Sequence, residues 1–264
     1  MAAIATRVGK VGFTEAGGGD AVPIVFLHGV GSDKSVWRPQ LEHFSATRRA
    51  VAFDYPGYGE SDFRADATRD DFAAAILAAM DALAIDSAHV CGLSLGGVIA
   101  IAMHTQAPER CATLILADTF ATHPDGQGIF DRSTAASRTI GMRALAEGRI
   151  DVLLGSEKTP RLRAESVETM AAIDPAAYCV GAEAVWLADQ SDRAKAIAIP
   201  TLVLCGTEDR ITPPALSEDL AGLIPGARLE MIERSGHLAN AEQPAAYNAA
   251  IDRFLSTVEQ KTSQ

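Results

Sequence analysis

The segment from Gly92 to Gly96, which reads Gly-Leu-Ser-Leu-Gly, restricts the fold of this chain more than any other feature. It ends an apolar, strand-like run (88–92) and precedes an apolar, helix-like run (98–106). A serine between such a strand and helix occupies a strained turn that requires small neighbours and lifts its hydroxyl above the sheet. The helix N-terminus also favours developing negative charge. The segment therefore predicts an α/β sheet with Ser94 as a nucleophile.

Short apolar runs recur along the chain and alternate with helical patterns. Such runs are typical of strands in a parallel sheet covered on both faces, and the alternation predicts a doubly wound α/β sheet with right-handed crossovers. The six runs are 22–27, 50–54, 88–92, 112–118, 201–205 and 227–232. The clearest helical patterns are Phe72–Leu83 after a Thr68–Asp71 capping box, Val98–Gln106, and Ala245–Val258.

One interval breaks this alternation. Between Thr119 and Lys195 the pattern indicates helices only, interrupted by glycines and prolines. A long helical interval inside an α/β sheet predicts an inserted subdomain over the carboxyl ends of the strands, where such sheets bind ligands. The expected division is a core of residues 1–118 and 195–264 and a helical cap of residues 119–194.

A serine nucleophile needs a base, and the base needs an orienting acid. His237 follows the last predicted strand, and Asp209 lies just past the strand 201–205. All three residues stand at carboxyl ends of strands. Their order along the chain, Ser94, Asp209, His237, is the order expected when a serine nucleophile, its acid and its base are carried by an α/β sheet. We therefore expect them to form a catalytic triad.

Other residues compete for these roles. Glu208 and Asp118 are alternative acids, because Glu208 adjoins Asp209 and Asp118 ends the strand 112–118. His28 is expected to orient a loop rather than act as a base. His123, at the start of the cap, is a candidate pocket residue.

Two backbone N–H groups are candidates for an oxyanion hole. Leu95 begins the helix after the serine, and Val30 lies in the glycine-containing loop after the run 22–27. The sequence holds no dinucleotide-binding glycine pattern and no HExxH zinc motif, so no cofactor and no metal are expected.

Composition excludes several classes of function. The chain has 23 basic and 34 acidic residues and a net charge of −11, which disfavours contact with nucleic acid or anionic membranes. No run approaches the ~20 apolar residues of a membrane span, and the first residues lack the apolar stretch of a signal peptide. The 4 cysteines show no CxxC or metal-ligand spacing and are expected to be reduced thiols. A cytoplasmic location is therefore expected.

Five segments together resemble the α/β-hydrolase-fold serine hydrolases: FLHGVG (26–31), FDYPGYGESD (53–62), CGLSLGG (91–97), LVLCGTEDRITP (202–213) and SGHLANAEQP (235–244). The resemblance implies a mostly parallel sheet with the helical cap inserted after the sixth strand. It also implies that Ser94, Asp209 and His237 act through an acyl-enzyme on a small-molecule ester or lactone substrate.

Within that superfamily the chain is most similar to 3-oxoadipate enol-lactonases, through GLSLGG (92–97), APER (107–110), GMRALAEG (141–148), IDPAAY (173–178) and PTLVLCGTED (200–209). The family often carries threonine, arginine and histidine where this chain has Tyr55-Pro56-Gly57-Tyr58-Gly59. An anionic lactone would also need a local arginine against the net charge of −11. The candidates are Arg132, Arg138, Arg143 and Arg161.

Three other functions share these motifs. C–C bond hydrolases of ring-cleavage products usually read closer to HGxGPG in the oxyanion loop, whereas Ser32 and Asp33 follow Gly31 here. Cofactor-free perhydrolases, also called haloperoxidases, carry the same triad. Ligand sensors on the hydrolase fold can retain it. In the cap, Trp186 and Met142 either line the pocket or pack between helices.

Overall fold

A sheet of eight strands runs through the centre of the computed structural model, which describes residues 2–262 and the side chains of residues 2–260. The strand order is β1-β2-β4-β3-β5-β6-β7-β8, with β3 to β8 parallel and β1 and β2 antiparallel. The strands are β1 (Ala2–Thr6), β2 (Gly9–Ala16), β3 (Ile24–Leu27), β4 (Ala50–Phe53), β5 (Ala88–Leu93), β6 (Cys111–Ala117), β7 (Thr201–Gly206) and β8 (Arg228–Ile232).

The six strands expected from apolar runs are confirmed as β3 to β8. Four of them are buried at every residue (β3, β4, β5 and β7), which explains their continuously apolar sequences. The apolar runs did not reveal β1 and β2, which form an antiparallel edge with many exposed or half-buried residues. An edge that faces water on one side does not need an unbroken apolar run.

Eleven α-helices cover the sheet within the described residues. They are α1 (Arg38–Phe44), α2 (Arg69–Ala82), α3 (Leu95–Gln106), α4 (Gly126–Thr139), α5 (Gly141–Leu153), α6 (Pro160–Ala171), α7 (Pro175–Trp186), α8 (Ser191–Lys195), α9 (Pro214–Leu223), α10 (Ala239–Glu242) and α11 (Pro244–Thr262). The capping box of Thr68 and Asp71 is present at the start of α2, as expected. None of the helices in the described part of the chain is long and apolar enough to cross a bilayer.

The helices α4 to α8 all lie between β6 and β7, so the helical insertion follows the sixth strand, as expected. Within the insertion α4 packs on α7 and α5 packs on α6. Since β3 to β8 are parallel, their carboxyl ends meet at one edge of the sheet. The loops that begin there carry every candidate catalytic residue.

Candidate active site

Ser94 stands in a strained turn between β5 and α3. Its φ of +55° and ψ of −113° lie where side chains other than glycine are rarely found. The turn is fixed at both ends, because the Ser94 N–H donates to the Ala117 carbonyl oxygen at 2.9 Å and the Ser94 carbonyl accepts from Thr119 Oγ1 at 2.8 Å. The residue is 2% exposed, so its position is set by the fold.

Glycines allow this turn because strand and helix cross in near contact. A Cβ built on Gly96 would lie 2.0 Å from the Leu27 carbonyl oxygen of β3. A Cβ on Gly92 would lie 2.1 Å from the Gly96 carbonyl oxygen. Real Cβ atoms do not approach backbone this closely, so both positions require glycine.

Asp209 and His237 form a hydrogen bond of 2.8 Å between Oδ2 and Nδ1. Asp209 is anchored by the N–H groups of Ile211 and Thr212, at 2.7 and 3.0 Å, and by the Thr212 hydroxyl at 2.6 Å. Burial opposes ionisation, but the His237 charge and these hydrogen bonds outweigh it and hold the Asp209 pKa below its ordinary value. Asp209 is therefore an acceptor that keeps the proton of His237 on Nδ1 and leaves Nε2 free.

The loop that carries His237 is tied to the end of α5. The His237 N–H donates to the Leu153 carbonyl oxygen at 2.8 Å. The Glu242 carboxylate bridges the same two segments, because it accepts from the N–H groups of Gly236 and Gly155 at 2.9 and 2.6 Å. Burial raises the pKa of Glu242 above its usual value. The position of the histidine thus depends on contacts with the inserted helices.

Ser94 and His237 line one cavity of about 470 Å³ between the sheet edge and the inserted helices. Its walls come from the loop after β3, from α5 and α6, and from Trp186. Asp209 is 3% exposed and contacts His237 away from the cavity lining. The structure thus brings the three predicted triad residues to one site.

Val30 lines the same cavity, and Leu95 directly follows Ser94, which also lines it. The N–H groups of Val30 and Leu95 donate to no other group among the described residues. Each N–H group shares a peptide plane with the carbonyl of the preceding residue, and the two point in opposite directions. Hydrogen bonds to that carbonyl therefore fix the direction of the N–H group. The Gly29 carbonyl accepts from the Ser32 N–H at 3.2 Å and from His28 Nδ1 at 2.8 Å. The Ser94 carbonyl is held by donors from Thr119 and the start of α3. Both N–H groups are therefore fixed and free to bind an oxyanion.

Two tyrosines support the loop after β3. The Tyr55 hydroxyl donates to the His28 carbonyl at 3.0 Å, and the Tyr58 hydroxyl donates to the Val30 carbonyl at 3.1 Å. Burial raises the pKa of both phenols well above the usual value, so they remain donors. Sequence reasoning identified these positions only as departures from the enol-lactonase pattern. His28 has the expected role, because its Nδ1–H donates to the Gly29 carbonyl.

The two alternative acids lie elsewhere in the hydrogen-bond network. Glu208 accepts from the Ser156 N–H and hydroxyl at 2.6 and 2.7 Å. Asp118 is fully buried behind Asp209, with one oxygen bound to the Gly206 N–H at 2.8 Å and the other without a partner among the described residues. Burial and the Asp209 charge raise the Asp118 pKa well above its usual value.

Ligand atoms of Asp118, Asp209 and Cys205 lie within 4.8 Å of one another, the one grouping of metal-ligand type in the described chain. Asp209 already accepts four hydrogen bonds. Burial raises the pKa of Cys205 far above its usual value and keeps its thiol protonated. Because metals bind thiolates and free carboxylates, the chemistry of this cluster does not suit a metal.

Of the three residues of the insertion that the sequence suggested as candidates for the pocket lining, one lines the cavity and two do not. Trp186 lines the cavity, whereas Met142 is buried outside the lining. His123 packs edge-on against Phe120 and Trp186 and is likewise outside the lining.

Of the four arginines considered from sequence, Arg161 reaches the cavity. Arg132 pairs with Asp125 and Arg143 with Glu168, both on exposed surfaces, and Arg138 is exposed. Arg149, which sequence reasoning missed, also lines the cavity. No local sequence signal distinguishes it from the other arginines of the cap.

Comparisons with known proteins agree with this architecture. Residues 22–244 match the family model described as the alpha/beta hydrolase fold. The chain is 27% identical over 259 residues to 3-oxoadipate enol-lactonase 1 of Acinetobacter baylyi, with 97% of each chain covered.

Solved structures give the same picture. The enol-lactonase from Burkholderia xenovorans LB400 superimposes with a TM-score of 0.91 at 28% identity, covering 97% of this chain and 100% of that one. A thermophilic esterase from Thermogutta terrifontis superimposes with a TM-score of 0.89 at 28% identity, covering 97% and 98%. The chain belongs to the α/β-hydrolase fold family and resembles an enol-lactonase over nearly its whole length.

Proposed function

We propose that this protein hydrolyses a small carboxylic ester or lactone through an acyl-enzyme formed on Ser94. The observation that carries the proposal is the 2.8 Å hydrogen bond between His237 and Asp209 at a cavity that Ser94 also lines. A serine in a strained strand–helix turn, at one cavity with a histidine that has an anchored acid, is the arrangement that acyl transfer requires.

In the proposed reaction His237 Nε2 takes the Ser94 proton as Oγ attacks the acyl carbon. Asp209 stabilises the imidazolium that forms, and the N–H groups of Val30 and Leu95 bind the oxyanion of the tetrahedral intermediate. The intermediate collapses when His237 gives its proton to the leaving oxygen. Water activated by His237 then cleaves the acyl-enzyme and releases the acid. In a lactone the leaving oxygen is part of the acyl chain, so it stays tethered to the enzyme until this second step releases the whole product.

The substrate we propose is a lactone or ester similar to 3-oxoadipate enol-lactone. Support comes from the enol-lactonase relatives and from the cavity volume of about 470 Å³, which is sufficient for a small ring. An enolate is a better leaving group than an alkoxide, so such a lactone suits cleavage by a serine nucleophile with a histidine base.

We also propose that residues 119–194 act as a cap on a core of residues 1–118 and 195–264. The contact between His237 and Leu153 supports a cap that takes part in forming the site. A cytoplasmic location is part of the proposal, supported by four cysteines without a disulfide in the described chain.

The test measures hydrolysis of 3-oxoadipate enol-lactone and of 4-nitrophenyl acetate by the wild type and by Ser94→Ala. We expect Ser94→Ala to lose about three or more orders of magnitude in kcat on both compounds while circular dichroism and Tm stay unchanged. A kcat/KM above about 10⁴ M⁻¹s⁻¹ on the lactone would support the lactonase assignment. Activity of Ser94→Ala close to wild type would contradict the mechanism.

Two further measurements separate this function from the ligand sensors and the perhydrolases that share the motifs. Labelling of Ser94 by an acyl donor without multiple turnover would indicate a ligand sensor. Peroxide-dependent bromination in acetate buffer, together with a lactone rate no higher than that of Ser94→Ala, would indicate a perhydrolase.

A further inference from the structure

Val30, whose N–H group is a candidate oxyanion donor, is held by hydrogen bonds on both of its sides. The Gly29 carbonyl before it accepts from Ser32 and His28. Its own carbonyl accepts from the Tyr58 hydroxyl at 3.1 Å. Because the backbone of a residue rotates only about φ and ψ, two fixed peptide planes prevent that residue from turning. The Tyr58 hydroxyl is therefore one of the two restraints on the direction of the Val30 N–H.

The Tyr58 hydroxyl also lies where an inserted helix meets this loop. A Cβ built on Gly181 of α7 would be 2.1 Å from the hydroxyl oxygen and 3.2 Å from Val30 Cγ2. Ala177, one turn earlier on the same face of α7, has its Cβ 2.8 Å from a Cβ built on Gly57. The helix α7 thus rests directly on the segment that carries Gly57 and Tyr58. Only a residue without a side chain fits opposite the hydroxyl.

The ring of Tyr58 has little room to move away from these contacts. It is 1% exposed, and its centroid lies 5.0 Å from that of His28 and 6.0 Å from that of Tyr55. Tyr55 in turn stacks on Phe72 of α2, with the centroids 5.4 Å apart. Neither Tyr58 nor Gly181 lines the active-site cavity. Any effect of these two residues on the reaction must therefore pass through the groups that they contact.

We infer that Tyr58 is a positioning residue of the oxyanion hole, and that the seating of α7 against its hydroxyl couples the inserted helices to the Val30 N–H. This inference rests on the proposed hydrolase function and adds to it a link between the insertion and the oxyanion hole. An oxyanion donor acts mainly on the tetrahedral species, so a misdirected N–H should slow the reaction and leave binding of uncharged ligands unchanged. A distorted cavity would weaken both.

The first variant, Tyr58→Phe, removes the hydroxyl and keeps the ring. We expect kcat/KM for 4-nitrophenyl acetate to fall roughly 5- to 50-fold, because the N–H is loosened rather than removed. Phenylboronic acid becomes a tetrahedral anion when Ser94 Oγ bonds to boron and the Ser94 proton passes to His237. Its inhibition constant should rise by the same factor as kcat/KM falls. Benzyl alcohol is of similar size and forms no such adduct, so its inhibition constant should stay within about 2-fold of wild type.

Gly181→Ala tests the coupling from the side of the inserted helices. Its methyl group would meet the Tyr58 hydroxyl, so we expect lower kcat/KM and weaker inhibition by phenylboronic acid, with inhibition by benzyl alcohol unchanged. Gly148→Ala is the matched control and should leave all three values unchanged. A Cβ on Gly148, in α5 of the same insertion, meets no atom within 4 Å, and Gly148 lies outside the cavity lining.

The double variant, which combines Gly181→Ala with Tyr58→Phe, distinguishes a direct contact from two separate effects. With the hydroxyl removed, the nearest remaining atoms to the new methyl group are Tyr58 Cζ and Val30 Cγ2, at 3.1 and 3.2 Å. We therefore expect the double variant to be as active as Tyr58→Phe alone and to have a higher Tm than Gly181→Ala, whereas independent effects would multiply. If Gly181→Ala fails to fold, recovery of folding in the double variant gives the same evidence.

The outcomes separate this inference from the proposed function. Unchanged kcat/KM in Tyr58→Phe, equal weakening of both inhibitors, or multiplied losses in the double variant would overturn the positioning role and leave the hydrolase function standing. If the wild type does not hydrolyse 4-nitrophenyl acetate in a Ser94-dependent way, and a fluorophosphonate does not label Ser94, the hydrolase function itself fails.

Discussion

Asp118 and Asp209 are both buried near His237, with a carboxyl oxygen of one no more than 4.8 Å from a carboxyl oxygen of the other. Asp209 has His237 and three further donors. Asp118 has one donor and one oxygen without a partner among the described residues. Two adjacent buried carboxyl groups cannot both ionise easily, and the one that accepts more hydrogen bonds keeps the negative charge. Asp118 is therefore the neutral member, with a proton that it can direct toward Asp209.

The first prediction compares isosteric changes at these two residues. Asp118→Asn replaces a neutral carboxyl by a neutral amide of the same shape, so we expect kcat/KM to stay within roughly 10-fold of wild type. Asp209→Asn removes the charge that orients His237 and should cost about 10⁴-fold. Kinetics with 4-nitrophenyl acetate measure both effects. A loss at Asp118→Asn as large as that at Asp209→Asn would identify Asp118 as the ionised acid.

The second prediction concerns Thr212, whose hydroxyl donates to Asp209 Oδ2 at 2.6 Å. Thr212→Val removes this donor, so the Asp209 carboxylate becomes more basic and stabilises the His237 imidazolium more strongly. The acid limb of the pH profile of kcat/KM should then move to higher pH, with a loss of roughly 10-fold or less at neutral pH. Thr212→Ser keeps the hydroxyl and should retain the wild-type profile. The hydroxyl oxygen also lies 3.2 Å from His237 Nδ1. An unchanged profile in Thr212→Val would therefore contradict a net effect of the hydroxyl on the Asp209–His237 pair.

The third prediction tests the tight crossing at Gly96. A Cβ there would meet the Leu27 carbonyl oxygen at 2.0 Å, so Gly96→Ala must shift backbone and is expected to destabilise the protein by several kcal/mol. Gly148 lies inside α5 with no atom within 4 Å of a built Cβ. Gly148→Ala should therefore raise stability by up to about 1 kcal/mol. Urea unfolding measures both, and equal small effects would contradict the close packing of strand and helix.

The fourth prediction is a pH dependence of stability from His89 in β5. Burial, assisted by the Arg48 charge, lowers the pKa of His89 from 6.5 to about 4. Between these values the unfolded chain binds a proton that the folded chain does not, so the free energy of unfolding falls as the pH decreases from 6.5 toward 4. The loss from this residue reaches up to about 3 kcal/mol.

His89→Asn removes the titrating group while keeping a polar side chain beside Thr113, which contacts His89 Nδ1 at 3.0 Å. Unfolding measured in urea at several pH values should show a shallower dependence in this variant between pH 6.5 and pH 4. A slope equal to that of the wild type would show that His89 does not carry the effect.

The sequence was informative where function depends on short segments. Ser94 is recognisable because its strained turn demands glycines at fixed positions, and Asp209 and His237 follow strands whose apolar runs are themselves visible. Parallel strands then bring their ends together without further information. The same reasoning correctly placed a helical insertion after β6.

Other features depend on packing between distant segments. Arg143 and Arg149 lie on the same helix and look equivalent in sequence, yet at about 100° per residue they point to different sides, and only the packing of α5 shows which side faces the cavity. The role of Tyr55 and Tyr58 is visible only in the structure, where the loop after β3 presents carbonyls to their hydroxyls. The strands β1 and β2 were missed because an edge strand lacks the apolar run that marks a buried one.

The link between the end of α5 and the His237 loop bears on how this enzyme can be altered. The Leu153 carbonyl accepts the His237 N–H, and Glu242 joins Gly155 to Gly236. An engineer who replaces the inserted helices to change selectivity would therefore also displace His237. A chimera that retains residues 153–155 keeps those anchors, so this short exit segment marks the boundary at which helices from another enzyme can be grafted.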